Sequence, residues 1–154
     1  MKSLLILGAG GFGHMIKETA QALGYEEIVF LDDMVKEDDV IGMCCDYVIK
    51  HEDYPVAVAA FGNNKTRLFW TDKLLEEGYE VPAIVHPSAV VSPSVTLEPG
   101  CFIMQRSVVN TNTKIERAAL VNSGAVVDHN SVVCAGAHVG LGSAVKANCT
   151  IESG

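Results

Sequence analysis

The stretch that decides the fold runs from Val85 to Gly154 and reads VHPSAVVSPSVTLEPGCFIMQRSVVNTNTKIERAALVNSGAVVDHNSVVCAGAHVGLGSAVKANCTIESG. It repeats every six residues, and one register carries a branched aliphatic side chain at twelve successive positions: Val85, Val91, Leu97, Ile103, Val109, Ile115, Val121, Val127, Val133, Val139, Val145 and Ile151. A second register, four places later, carries mostly small residues: Ala89, Val95, Cys101, Ser107, Thr113, Ala119, Ala125, Ser131, Ala137, Ser143 and Cys149. Two registers that stay in step over this length indicate a regular structure with a six-residue unit.

The period of six has a physical cause. It is neither the period of two of a flat strand nor the 3.6 of a helix, so the chain must turn at regular intervals. We expect each repeat to form one short strand and one corner, with the aliphatic side chain inside and the small residue where the corner leaves little room. Three sides then make a coil of about 18 residues, and residues 85–154 are predicted to form a parallel β-helix of nearly four coils.

Residues 1–84 have a different rhythm, in which short apolar runs alternate with helix-like segments. This alternation is typical of an α/β domain with parallel strands. The predicted strands are Leu4–Leu7, Ile28–Leu31 and Val56–Phe61, with a possible short strand at Tyr47–Ile49. The predicted helices are Gly13–Leu23 and Asn64–Glu77. The sequence therefore predicts two domains, residues 1–84 and residues 85–154.

Charge and composition exclude several classes of function. The 154 residues include 19 acidic and 11 basic side chains, a formal net charge of −8, which disfavours a nucleic-acid partner. The apolar start MKSLLILGAGG runs into glycines without a cleavage site, so we interpret it as a strand and not as a signal peptide. No apolar stretch approaches the roughly 20 residues that span a bilayer. We expect a cytoplasmic protein without a metal site, because its five cysteines lack a zinc spacing and are interpreted as reduced structural thiols.

The segment Gly8–Gly13 reads GAGGFG and lies between a predicted strand and a predicted helix. It fits the dinucleotide-binding pattern GxGxxG, and Asp32, next to Asp33, follows the last glycine by 19 residues. We interpret the segment as a nucleotide site, with a simple tight turn as the alternative. A nucleotide smaller than NAD fits better, because residues 1–84 leave no room for a separate substrate domain. The later turn Phe61–Asn64 either contacts the ligand or only caps the following helix.

The chain resembles the bacterial sugar acyltransferases of the bacillosamine-type nucleotide-amino-sugar N-acetyltransferase and sialic-acid O-acetyltransferase kind. The resemblance rests on GAGGFG, FLDD and FGNN in residues 1–84, on VHPSAVVSPSV at the junction, and on VNSGAVVDHNSVVCAGAHVG in the repeats. It implies a Rossmann-like domain over residues 1–84 that holds a sugar nucleotide. It also implies a left-handed β-helix over residues 85–154 that forms homotrimers and binds acetyl-CoA between subunits.

The resemblance also implies site residues, matched position by position. The implied nucleotide-sugar contacts are Gly10, Gly11, Phe12, Asp32, Asp33 and Gly62. The implied catalytic base is His129, the acetyl-CoA-contacting histidine is His138, and the backbone amide near the thioester carbonyl is that of Ala147. Two positions depart from the bacillosamine-type enzymes: Phe12 replaces a histidine, and Asn130 replaces an acidic residue beside the base.

The repeats place the two histidines independently of the resemblance. His129 is the third residue of its repeat and should face outward, and a histidine suits proton transfer near neutral pH. Asp128 or Asn130 could orient the ring by accepting a hydrogen bond from its other nitrogen. His129 and His138 are nine residues apart, half a coil, so they should project from different sides of the β-helix. A site that uses both histidines then needs a neighbouring subunit.

These observations lead to a preferred function and to alternatives. The first is an acetyl-CoA-dependent N-acetyltransferase that acts on a nucleotide-linked amino sugar by direct attack on the thioester. The nearest alternative is O-acetylation of a sialic-acid-type sugar. A non-catalytic sugar-nucleotide-binding module is a third, because the chain stops at Gly154 in mid-repeat and the β-helix is expected to be incomplete at its carboxyl end. An NAD-dependent oxidoreductase is the fourth.

Overall fold

The structure, a computed structural model, describes residues 1–153 and divides into two units at Pro82. The first unit, Met1–Pro82, contains a parallel four-stranded sheet of strand order β3-β2-β1-β4. Its strands are β1 Ser3–Leu7, β2 Glu27–Leu31, β3 Val40–Gly42 and β4 Ala57–Ala59. Its helices are α1 Gly11–Ala22, α2 Tyr47–Lys50 and α3 Asn64–Glu77. Within residues 1–153, no helix combines the length and apolar character needed to cross a membrane.

The central strand β1 explains why the chain opens with an unbroken apolar run. Residues 4–7 are all fully buried, as both faces of the sheet are covered. A parallel sheet buried on both faces selects continuous apolar strands and not alternating ones. The predicted strands Leu4–Leu7 and Ile28–Leu31 and the helix Asn64–Glu77 are confirmed, and α1 begins two residues earlier than predicted, at Gly11.

The possible strand at Tyr47–Ile49 is wrong, because these residues form α2 after a 3₁₀ turn at Cys44–Asp46. The Asp46 carboxylate accepts the backbone N–H of Met43 at 2.9 Å, and this local hydrogen bond starts the helical turn. The remaining strand of the sheet is β3, whose three half-buried residues give too weak an apolar signal to be found in the sequence.

The second unit, which begins at Ala83, is a stack of two-residue strands. These are β5 Ile84–Val85, β6 Val90–Val91, β7 Thr96–Leu97, β8 Phe102–Ile103, β9 Val108–Val109, β10 Lys114–Ile115, β11 Leu120–Val121, β12 Val126–Val127, β13 Val132–Val133, β14 His138–Val139, β15 Ala144–Val145 and β16 Thr150–Ile151. They form three parallel sheets: a first face (β5, β8, β11, β14), a second face (β6, β9, β12, β15) and a third face (β7, β10, β13, β16). Paired residues such as Val108 and Val126 are 18 apart, which confirms the predicted parallel β-helix.

The two sequence registers have the predicted places in this β-helix. The aliphatic residues from Ile103 to Val145 are buried in one continuous core, and those of the outer coils pack against it. Most small residues of the second register are also buried, and Ser143 is an exception because its side chain is exposed. The core thus consists of stacked aliphatic side chains that repeat once per face.

The corners follow the same period through their backbone conformation. Nine residues spaced six apart have a positive φ between 56° and 72°: Gly100, Arg106, Asn112, Ala118, Gly124, Asn130, Gly136, Gly142 and Asn148. Glycine and asparagine adopt this left-handed conformation most readily, and they fill seven of the nine positions. Each left-handed residue turns the chain from one face to the next.

We expect the substitution Gly124→Ala to lower the free energy of unfolding by about 1–2 kcal/mol, the cost of a side chain in the left-handed region. The cost is conformational, because a Cβ at Gly124 would lie 3.9 Å from its nearest neighbour, the Gly142 Cα, and so would not clash. Gly140→Ala is the matched control, since Gly140 lacks a positive φ and its Cβ would make an ordinary 3.4 Å contact. Urea denaturation measures both variants, and equal losses would contradict this account of the corners.

Candidate functional site

The first group of candidate residues lies at the carboxyl edge of the sheet. Strands β2, β1 and β4 are neighbours and parallel, so the turns that follow them meet at the same edge. These turns contain residues 8–10, 32–33 and 61–63, which include most of the predicted nucleotide-sugar contacts. Open α/β sheets usually bind ligands at this edge.

The Gly-rich turn brings helix α1 close to strand β1. A Cβ on Gly13 would lie 1.9 Å from the Gly8 carbonyl oxygen, so only glycine permits this approach. Gly10 is the N-cap of α1 and provides no side-chain cap, and both Gly10 and Gly11 are exposed with no heavy atom within 4 Å of an added Cβ. Phe12, the next residue of the helix, is half-buried. The amino terminus of α1 is therefore open to a ligand.

Asp32 connects the turns that follow β1 and β2. Its Oδ2 accepts the Ala9 N–H at 2.7 Å, and its Oδ1 accepts the N–H groups of Met34 and Val35 at 2.8 Å each. Partial burial acts to raise the pKa of this carboxyl group, but the three backbone hydrogen bonds outweigh it and lower the pKa. Asp32 thus holds the loop in place and also lies where a nucleotide-sugar contact is predicted.

Asp33 has a different environment. It is exposed, and its Oδ1 accepts the N–H of Cys44 at 2.9 Å. Of the two adjacent carboxylates it is the more accessible to a ligand. A cleft of about 390 Å³ lies beside this segment and is lined by Asp32, Val35, Lys36, Glu37, Asp38, Val40, Gly42 and Met43.

The turn after β4 has both a cap and a buried arginine. The Asn63 side chain accepts the Thr66 N–H at 2.9 Å, so Asn63 caps α3. Helix capping is one of the two predicted interpretations of this turn. Gly62 is exposed. Sequence reasoning missed Arg67, which is fully buried and donates to the carbonyl oxygens of Phe61 and Gly62. Its i, i+4 and i+7 spacing to Thr71 and Leu74, both buried, is the signal that places it on the inner face of α3.

The second group of candidate residues lies at the corner between β12 and β13. His129 is exposed, as its place in the repeat predicts, and its Nδ1 lies 2.8 Å from Oδ1 of Asn130. Asn130 has φ +57°, and asparagine tolerates this left-handed conformation. When Nδ1–H donates to Asn130, the lone pair of Nε2 is left free to accept a proton.

Of the two predicted orienting residues, Asn130 is hydrogen-bonded to the ring and Asp128 is not. The Asp128 Oδ1 accepts the backbone N–H of His129 at 2.8 Å and the Asn110 amide at 3.1 Å. The hydrogen bond from His129 N–H and the one from Asn110 lower the pKa of the Asp128 carboxyl group. Asp128 therefore fixes the backbone of the corner and not the tautomer of the imidazole.

Ala147 lies 18 residues after His129, one coil further along the same corner. The Asn148 N–H donates to the His129 carbonyl oxygen at 3.1 Å, which fixes the stacking of the two coils. At two equivalent corners, the backbone N–H is capped by the side chain of the residue before it. Asn122 accepts the Ser123 N–H, and Asp128 accepts the His129 N–H. The residue before Ala147 is Lys146, which cannot accept. Within residues 1–153 the Ala147 N–H has no acceptor.

His138 lies apart from this corner. It is an exposed residue of β14 on the first face, and its Nε2 lies 3.1 Å from the Asn122 amide nitrogen. His129 follows β12 of the second face, so one chain does not bring the two rings together. Asn110 and Asn122, the side-chain partners of Asp128 and His138, were missed by the sequence reasoning. Asn110 could have been found, because it precedes Asp128 by one coil of 18 residues.

Comparisons with known proteins agree with both units. The family described as PglD N-terminal domain matches residues 3–74. PerB from Caulobacter crescentus, solved in complex with CoA and GDP-perosamine, is 33% identical with a TM-score of 0.85, and the match covers 94% of this chain and 71% of that one. The acetyltransferase domain of PglB from Neisseria gonorrhoeae FA1090, solved with acetyl coenzyme A, is 29% identical with a TM-score of 0.79, over 97% of this chain and 84% of that one.

A more distant structure shows the fold alone. WeeI from Acinetobacter baumannii AYE is 16% identical with a TM-score of 0.70, over 98% of this chain and 94% of that one. The identity and coverage of the PerB match, together with the family match to residues 3–74, establish the relationship. The chain belongs to the bacterial sugar acetyltransferases of the hexapeptide-repeat superfamily.

Proposed function

We propose that this protein is an acetyl-CoA-dependent N-acetyltransferase that acts on a nucleotide-linked amino sugar. The observation that carries the proposal is the corner where His129, held by Asn130, stacks with the uncapped amide of Ala147. Adjacent coils are about 4.8 Å apart, so a base and a hydrogen-bond donor lie within reach of one reacting carbonyl group. The relatives solved with CoA and an amino-sugar nucleotide support the choice of substrates.

The reaction follows from these two groups. The sugar amine attacks the thioester carbonyl carbon, and Nε2 of His129 takes a proton from the amine. The Ala147 N–H donates to the oxyanion of the tetrahedral intermediate. The C–S bond then breaks, the CoA thiolate leaves, and the proton passes from the imidazole to the thiolate. No covalent enzyme intermediate is needed.

The neutral partner of the base favours an amine over a hydroxyl as the nucleophile. A carboxylate beside Nδ1 would stabilise the protonated imidazole and strengthen the base, whereas the Asn130 amide orients the ring without adding charge. An amine is nucleophilic before it loses a proton, whereas a hydroxyl must give up its proton as it attacks, so an amine needs a weaker base. N-acetylation is therefore the first proposal, and O-acetylation of a sialic-acid-type sugar is the second.

We propose that the sugar nucleotide binds at the carboxyl edge of the β3-β2-β1-β4 sheet, in a Rossmann-like manner. The open amino terminus of α1 suits a phosphate, and the exposed Asp33 suits a ribose hydroxyl. Gly10, Gly11, Phe12 and Gly62 lie along the same edge, and Asp32 shapes it. The alternative function, a non-catalytic sugar-nucleotide-binding module, would use the same pocket but would not transfer an acetyl group.

We also propose that the β-helix is left-handed and assembles into a homotrimer through its second face. The outward residues of this face are apolar, and each is exposed or partly exposed: Val90, Val108, Val126 and Ala144. The outward residues of the third face are Thr96, Lys114, Val132 and Thr150, which are mostly polar. A second copy of the chain is the occupant that an apolar stripe repeating at each coil fits, since the partner repeats at the same spacing.

The proposed assembly also explains the separation of the two histidines. The His129 corner lies at one edge of the second face, and β14, which carries His138, precedes the other edge. A closed ring of copies, each with its second face toward the axis, places one edge of each subunit beside the other edge of the next. His129 of one subunit then meets His138 of its neighbour, where the acetyl-CoA is proposed to bind.

We expect His129→Ala to abolish acetyl transfer without unfolding the protein, because the ring is exposed and makes no core contact. His138→Ala is expected to weaken acetyl-CoA binding. When the two variants are co-expressed and purified as mixed oligomers, some shared sites contain both histidines, so part of the activity returns. Assays with acetyl-CoA and a panel of nucleotide-linked amino sugars measure this, with light scattering for the oligomer. Monomers, or full activity in His129→Ala, would contradict the proposal.

We expect Asn130→Asp to move the acid limb of the pH profile of kcat/KM upward, by about one unit. The added carboxylate stabilises the protonated imidazole, so a higher pH is needed to release the base. Asn130→Gly is the control: it keeps the left-handed corner, removes the acceptor, and is expected to lower kcat without the upward shift. A profile unchanged in both variants would show that Asn130 does not act on the base.

A further inference from the structure

Arg67 is a wholly buried cation whose partners lie on a proposed binding turn. It is the largest fully buried side chain among residues 1–153 and has no exposed surface. Burial lowers the pKa of its guanidinium to about 10, so the group is still protonated at neutral pH. Burying a charge costs free energy unless hydrogen bonds compensate for the lost water. The hydrogen bonds of the guanidinium therefore determine where it can lie.

These hydrogen bonds converge on the turn between β4 and α3. Nη1 donates to the carbonyl oxygens of Phe61 and Gly62 at 3.0 and 3.3 Å, and Nη2 donates to Oδ1 of Asn64 at 3.0 Å. Two successive carbonyl groups are thus turned toward one nitrogen. The planar, forked guanidinium is suited to hold several acceptors at fixed positions.

The inward carbonyl groups determine where the neighbouring amides point. A trans peptide places its C=O and N–H on opposite sides, and the structure has no cis peptide bond among residues 1–153. The N–H groups of Gly62 and Asn63 are therefore directed away from Arg67. Within the same residues neither has an acceptor, and both residues are exposed at the carboxyl edge of the sheet.

We propose that Arg67 is a positioning residue that aims the backbone N–H groups of Gly62 and Asn63 at the sugar nucleotide. The inference rests on the proposed function, which places that ligand at this edge. Arg67 does not touch the ligand. It fixes the orientation of the two peptides through their inward carbonyl groups. The Asn63 cap fixes the same turn through its hydrogen bond to the first turn of α3.

The test compares Arg67→Met and Arg67→Lys with Leu74→Ala. Leu74 is fully buried on the same helix, two turns beyond Arg67, so Leu74→Ala reports a loss of packing away from the turn. Calorimetry on the full chain measures the binding of GDP-perosamine and of a UDP-linked amino sugar, and separately of acetyl-CoA. Thermal melts show the stability of each variant, and amide NMR shifts of residues 62–64 report the turn.

We expect Arg67→Met to bind the sugar nucleotide roughly tenfold or more weakly, with unchanged acetyl-CoA affinity and shifted amide signals at Gly62 and Asn63. Arg67→Lys keeps the charge without the fork and is expected to fall between Arg67→Met and the wild type. Leu74→Ala is expected to lower the melting temperature while binding as the wild type does.

The outcomes separate this inference from the proposed function. If the wild type binds a sugar nucleotide and both Arg67 variants bind it equally well, the role of Arg67 is overturned and the function stands. The role is also overturned if Leu74→Ala weakens sugar-nucleotide binding as much as Arg67→Lys at equal stability. If the wild type binds neither nucleotide sugar, the proposed function fails and the inference fails with it.

Discussion

The register of 18 residues per coil is the constraint on which the second unit depends. Each inward aliphatic side chain packs on its equivalent in the next coil, so the core resists any slip between coils. A slip by one residue would turn the valines outward and the polar residues inward. The same constraint arranges the surface in columns, because residues 18 apart must stack. Asn110 therefore lies under Asp128, and His129 lies under Ala147.

The sequence specifies the β-helix better than it specifies the first unit, for a physical reason. In the β-helix one period fixes strand, corner and facing, so the exposure of His129 and the 18-residue pairing follow from counting. In the first unit the third strand, Val40–Gly42, is short and half-buried, and local hydrogen bonds of Asp46 convert an apolar segment into a helix. Short elements of this kind depend on tertiary contacts that no periodic pattern records.

The candidate sites show the same division. Position within the repeat placed His129 on the outside of its corner, but it did not decide whether Asp128 or Asn130 is hydrogen-bonded to the ring. Which of the two side chains bonds to the ring depends on their rotamers and on Asn110, which lies one coil earlier and donates a hydrogen bond to Asp128. At the sheet edge the pattern GAGGFG and the aspartates were evident, whereas Arg67 was not. An arginine among helical residues is usually a solvated side chain, and its burial is a property of the folded unit.

Residue 130 has two physical requirements at once, and they explain why it is asparagine. Its backbone must adopt φ +57° to turn the corner, and its side chain must accept from the imidazole 2.8 Å away. Glycine meets the first requirement but not the second, while most other residues would strain the corner. Asparagine and aspartate meet both, and they differ in charge and in the NH2 donor that only asparagine has. The corner geometry therefore leaves the charge of the group beside the imidazole to one atom substitution, from an amide nitrogen to a carboxylate oxygen, which changes the electrostatics without altering the fold.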